Sequence, residues 1–205
     1  MIMTESKPGA MNLDVVAMFD DDLQFFRRKD DSAYNLRKLD PGECVDLIDC
    51  VVGLADEHGH SGIAMRGGIN NLYPLHVKYA TRSVTSLIVG VRQYFDAKAD
   101  FSRIPLMADF DNTLTMLRAG FTNAVLCDYG CDQGSSNAPG GCSNYRTPEL
   151  MTKAAHMLHD FHPDFVKVVE KSTKTGWEGM KTRTDVRMQW RKAFASSGAP
   201  LPEDY

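Results

Sequence analysis

No apolar run in the sequence approaches ~18 residues, so none reads as a membrane-spanning helix. The start, MIMTESKPGAMNLDVV, has no basic stretch leading into an apolar one, so no secretory signal is read there. An even cysteine count is missing too. Five cysteines beside eleven methionines suit free thiols or metal ligands in a reducing, cytoplasmic setting better than a disulfide framework. Positive charge is short: the formal net charge of −4 argues against a chain built as a whole to bind nucleic acid. No internal repeat is visible. What remains is an ordinary globular composition over 205 residues, with 43% hydrophobic, 24% charged and 9% aromatic residues. Disorder, collagen and coiled-coil fibre are excluded by those proportions. A chain of this size buries roughly 70% of its unfolded surface, enough for one domain.

The charge is uneven. Residues 171–192 hold seven cations against Glu178 and Asp185, a net of +5 that leaves −9 for the rest.

Periodicity predicts helices along most of the chain. Leu13, Val16, Leu23 and Phe26 recur at helical spacing and predict a helix over about 12–28. Asp40, Pro41 and Glu43 form a capping signature ahead of Cys44, Ile48, Val51, Val52 and Ala55, which predicts a helix over 41–57 stopped by Gly59. Gly62, Gly67 and Gly68 mark 58–74 as loop or broken helix. Val84, Leu87, Ile88, Val91, Tyr94 and Phe95 predict a helix over 76–97, and 104–126 stays open between strand and helix. Residues 128–146 read as one long Gly/Ser-rich loop. Thr147 and Pro148 open another helix, and Val186, Trp190 and Phe194 share one face of a last one. The expected architecture is mainly α: a polar tail over 1–10, one orthogonal helical bundle over 11–195, and a C-terminal tail over 196–205.

Four constellations could carry chemistry. The first is Glu57-His58-Gly59-His60-Ser61-Gly62, where two histidines and a carboxylate could hold a metal or exchange protons. It also reads as a plain helix end, with Gly59 in the left-handed position and His58 facing the dipole. The segment LADEHGHSG resembles a group of small phage and bacterial proteins with a QGHSG-type signature; Gly59, His60, Ser61 and Gly62 match, with His58 at the glutamine position. That resemblance implies a phage or prophage origin and no chemistry.

The second is AAHMLHDFHPDF. Its apolar helix ending in His-Asp is similar to the central motif of the HD phosphohydrolase family. The resemblance implies a divalent metal held by His159 and Asp160, with His60 upstream beside His58 and Asp185 downstream. Such a metal would activate water and neutralise phosphate charge, making His159 and Asp160 the catalytic pair. The alternative is a solvated helix flank ending at Pro163.

The third, MADFDNTLT over 107–115, closely resembles the nucleophile motif of haloacid-dehalogenase-like phosphatases. That resemblance implies Asp109 as nucleophile, Asp111 as acid/base and Thr113 as a positioning residue. The same residues suit a helix N-terminus capped by Asp111. No acidic pair follows on a second strand, so Asp109 is not expected to be a nucleophile. The fourth, Cys127-x3-Cys131-x10-Cys142, could hold zinc with His156 or Asp128, or could be free thiols.

Two functions are therefore expected in competition. One is a metal-dependent hydrolase of a phosphorylated small molecule or nucleotide. The other is a non-enzymatic phage-type accessory protein that binds a host or phage partner, an acidic protein or nucleic acid, through its basic C-terminal helix. Its contacts would be Arg183, Arg187 and Arg191, spaced four apart as one basic stripe.

Overall fold

A computed structural model of the chain describes residues 14–19, 23–29, 34–67, 69–81, 86–132, 146–172 and 181–202. Helix α1, Pro41–His58, starts where the capping residues placed it. The Asp40 carboxylate accepts from the Glu43 amide at 2.9 Å, and Glu43 accepts from the Asp40 amide at 3.1 Å. Both orphan amides are thus satisfied within one turn. Arg37 clamps the Glu43 carboxylate from outside. That bond and the Asp40 amide hold the Glu43 pKa at about 2. Gly59 ends the helix at φ 90°, and a Cβ there would stand 2.7 Å from the Phe121 Cβ, so the site has neither the conformation nor the room for a side chain.

Beyond that helix the expected bundle gives way to sheet. The strands β1 (Val15–Phe19), β2 (Gln24–Arg28), β3 (Leu36–Lys38), β4 (His60–Met65), β5 (Val77–Tyr79), β6 (Ser86–Gly90) and β7 (Asn123–Asp132) form one seven-stranded sheet. Its order is β1-β6-β4-β7-β2-β3, with β5 also on β7. The edge of β7 is divided: β5 pairs with Ala124–Leu126 and β2 with Tyr129–Asp132. On its other edge β7 runs parallel to β4, in register from His60–Asn123 to Ile63–Leu126, then shifted so that Ala64 meets Gly130. All other pairings in this sheet are antiparallel.

Helices α2 (Val91–Asp96), α3 (Ala108–Arg118), α4 (Pro148–Phe161) and α5 (Trp190–Ala195) complete the helical set among the described residues, with one 3-10 turn at Ile69–Leu72. Thr147 caps α4 by accepting from the Leu150 amide at 3.1 Å. A second sheet is the antiparallel hairpin of β8 (Val166–Ser172) and β9 (Thr182–Met188). Two apolar clusters result. Leu47, Val51 and Ala55 of α1 pack on Ile63 and Leu126 of the large sheet. Leu114 and Leu117 of α3, Ala155 and Leu158 of α4, Phe194 of α5, and Val166 and Val186 of the hairpin form the other. Burying a Leu or Val side chain contributes about 1.5–3 kcal/mol, so each cluster is a substantial part of the stability.

The mainly α, orthogonal-bundle expectation is therefore overturned: the chain is mixed α/β, with two sheets and five α-helices among the described residues. The helix read over 12–28 is two strands in different parts of the sheet. Its apolar residues satisfied helical spacing, but Val15, Val16, Phe25 and Phe26 favour a pleated surface, and burial in β2 alternates through Phe26 and Arg28. The helix read over 76–97 is β5, β6 and the short α2; an apolar run such as Leu87-Ile88-Val89 carries no period that separates strand from helix. The broken segment 58–74 holds the central strand β4. Residues 128–132 of the expected loop belong to strand β7, and 133–145 lie outside the described residues, as do the proposed tail 1–10 and the end of the C-terminal tail, 203–205. Within that C-terminal stretch Ala199 packs against the second cluster. No helix among the described residues is long and apolar enough to cross a membrane.

Candidate functional site

The expected metal ligands do not converge: among the described residues no group of three or more His, Cys, Asp or Glu side chains could hold an ion. This corrects the metal-binding expectation for His58, His60, His159, Asp160 and Asp185. His58 lies at the end of α1 with its ring 5.0 Å from Tyr79, and burial lowers its pKa against the pull of Glu57. His60, the first residue of β4, is fully buried. Neither of its ring nitrogens has a hydrogen-bond partner among the described residues, and burial drives its pKa down to about 3. Its neighbour Ser61 points to the opposite face, where Oγ donates to the Val51 carbonyl at 2.6 Å. His159 donates from Nδ1 to the Val166 carbonyl at 2.8 Å, while Asp160 is exposed. Asp185 is on the hairpin, bridging Lys171 at 3.1 Å and Arg183 at 3.2 Å.

The phosphatase-like segment is helix, as its alternative reading allowed, although Met107 rather than Asp111 takes the cap position. Asp109 lies in the first turn of α3 and not at the end of a strand. Asp111 is completely buried in a charge cluster. Arg103 forks onto it, Nε to Oδ2 and Nη2 to Oδ1, both at 2.5 Å. His162 meets Oδ1 at 2.8 Å through Nε2. Arg118 lies 3.0 Å from the other ring nitrogen, Nδ1. A guanidinium only donates, so Nδ1 accepts and the ring proton sits on Nε2, facing Asp111. Burial pushes the Asp111 pKa up, but the His162 and Arg103 bonds outweigh it and hold it below the usual carboxylate range. The buried Asp111 carboxylate is thus met by Arg103 and His162 from inside the fold, and the cluster ties α3 to the end of α4.

Of the cysteine constellation, Cys127 and Cys131 are buried in β7, and Cys142 lies outside the described residues. Burial raises the Cys127 thiol pKa to about 11, the direction opposite to that of a metal-binding thiolate.

The single helix expected to carry Arg183, Arg187 and Arg191 on one side and Val186, Trp190 and Phe194 on another is instead the strand β9 followed by the short helix α5. Arg183 and Arg187 share a face because even spacing on a strand also keeps one side; Arg191 belongs to α5. The register places Lys167 opposite Arg187, Val169 opposite Asp185, and Lys171 opposite Arg183. These six residues form one face of the hairpin. On the other face Val166, Val168, Val186 and Met188 pack into the core, and Thr152 of α4 donates to Thr184 at 3.0 Å. Lys167, Lys171, Arg183 and Arg187 are all exposed. Asp185 balances only the outer pair. Burial raises its pKa, but the Val186 amide and the Lys171 and Arg183 charges outweigh it and hold it below the usual carboxylate range. Lys167 and Arg187 face each other, and the one carboxylate on their face, Asp185, bridges Lys171 and Arg183. Sequence reasoning missed Lys167 and Lys171. The signal was Thr182-Arg183-Thr184-Asp185-Val186-Arg187-Met188, which alternates charge with small or apolar residues in strict period two.

At the base of the hairpin a cleft of about 440 Å³ opens between the end of β5 and the start of α5. Lys78, Thr81, Gln189, Trp190, Arg191 and Lys192 line it, with no acidic residue among the described lining. A second cleft, about 420 Å³, lies beside Arg66, but Arg66 is there matched by Asp132 at 3.1 Å. No protein-family model, curated protein or solved structure matches this chain, so no relative supports the phage-type or hydrolase resemblances.

Proposed function

We propose that this protein binds the backbone of a nucleic acid through the outward face of the β8–β9 hairpin. The observation that carries the reading is the two pairs of like charges placed directly across the ribbon, Lys167 against Arg187 and Lys171 against Arg183, with one carboxylate between them. Opposed like charges destabilise a strand pair, and a polyanion removes that repulsion. The two cationic rows are four residues apart, roughly 13 Å at strand rise, which suits a ligand with repeating charge better than a single small anion. The remainder of the chain outside 171–192 is net negative, which favours approach of a polyanion from this side. Contacts of this kind position a backbone and read no sequence.

The test is a binding titration of wild type and the Lys167→Ala/Arg187→Ala variant with labelled oligonucleotides over a range of salt. Affinity should fall steeply with salt and be weaker in the variant, because released counterions drive the association. Salt-independent binding, or equal binding by both proteins, would contradict the reading.

A further inference from the structure

We propose that the cleft between β5 and α5 is a nucleotide subsite, in which a base stacks on Trp190 and its phosphate is held by Lys78, Arg191 and Lys192. This rests on the nucleic-acid reading and narrows it: the strand bound is single. The cleft lies where the hairpin ends. Beyond the last pair, Val166–Met188, the Gln189 amide donates to the Phe165 carbonyl at 2.8 Å, so the ladder leads from Arg187 straight into the cleft wall. A strand laid on the cationic face therefore arrives there.

The chemistry of the lining fits one nucleotide unit. The volume of about 440 Å³ falls in the range of small-molecule sites. Trp190 is half-buried, its ring fixed edge-to-face on Phe110 at 6.0 Å and 79°, which makes it a rigid platform. Base stacking on an aromatic ring is sequence-tolerant, in keeping with a backbone-binding face. Gln189 and Thr81 offer an amide and a hydroxyl at the rim, both able to meet a base edge. Lys192 is positioned by one bond to the Asp164 carbonyl at 3.0 Å and keeps two further N–H donors. A duplex keeps its bases stacked on each other and cannot offer one to Trp190; an unpaired strand can.

The chain has two tryptophans, so a Trp177→Phe background leaves Trp190 as the single reporter. That protein is titrated with a short oligothymidylate and with a duplex of equal length, following both Trp190 emission and the anisotropy of labelled strands. The oligothymidylate should quench Trp190 and the duplex should not. Trp190→Ala should weaken oligothymidylate binding about 5–100-fold. Lys78→Ala with Arg191→Ala leaves the Trp190–Phe110 contact intact and should also weaken it, with unchanged circular dichroism. Oligothymidylate binding without quenching, unaffected by the cleft variants, would overturn the subsite and leave the hairpin reading standing. Equal quenching by duplex would overturn the single-strand assignment. Absence of binding to either nucleic acid would overturn both.

Discussion

The junction of α3 with α4 and the outward face of the β8–β9 hairpin use the same residue types for opposite ends. At the junction, Arg103 and His162 converge on Asp111, whose side chain has no solvent exposure. On the hairpin, four exposed cations share one carboxylate. In the first case the charges are matched around a fully buried carboxylate, and removing it strands the others. In the second, Lys167 and Arg187 are wet and have no carboxylate paired with them among the described residues, and removing one relieves repulsion. Whether an arginine is structural or available is decided by what faces it, not by its spacing in the chain.

The largest effect should come from breaking the matched side. Asp111→Ala leaves Arg103 and His162 facing an empty site, and the stability lost should be about 3–5 kcal/mol, read as a lower urea midpoint at unchanged slope. A loss below ~1 kcal/mol would mean that water satisfies the cluster as well as Asp111 does. A second large effect is pH-linked. His60 has a folded pKa of about 3 against 6.5 for the free side chain, so below pH 6.5 the unfolded chain takes up a proton that the folded one refuses. Stability should thus be level above pH 6.5 and fall by about 2–3 kcal/mol toward pH 4.5, a trend that His60→Leu should flatten. Asp111, held below its ordinary range, adds stability present above that range and lost only at more acid pH, as its folded pKa is crossed. An unchanged slope in the His60 variant would assign the acid loss to carboxylates instead.

The helix caps give a smaller, local effect. Asp40→Ala and Thr147→Ala should each cost about 1 kcal/mol in thermal unfolding, well below Asp111→Ala. At the unmatched end of the comparison, Lys167→Ala should be neutral or stabilising by about 0.2–1 kcal/mol, because it removes the charge opposite Arg187. A clear loss of stability there would mean that Lys167 is held by the fold after all.

These same regions explain what was legible in the residues. Helices α1 and α4 were, because Asp40-Pro41-x-Glu43 and Thr147-Pro148 are complete signals within one turn. Strand β4 was not. Gly62 within it and Gly67 and Gly68 after it read as breakers, and the strand exists through β6 and β7, the latter some 60 residues downstream. The four-residue spacing of Arg183 and Arg187 was noticed but is shared by helix and strand; only the alternation from Thr182 to Met188 distinguishes them. The Asp111 cluster was hidden for a related reason. Arg103, Asp111 and His162 span three segments, and no local pattern announces that they meet.

The central claim, that the hairpin face is an available cationic surface, is tested most directly by the salt slope of single-stranded oligonucleotide binding. Wild type and Lys167→Ala/Arg187→Ala are compared by anisotropy across salt concentrations. The two lost phosphate contacts should flatten the plot of log affinity against log salt by about 1.4, while the unfolding midpoint stays in place or rises slightly. Identical slopes in the two proteins, or no association of wild type even at low salt, would contradict it.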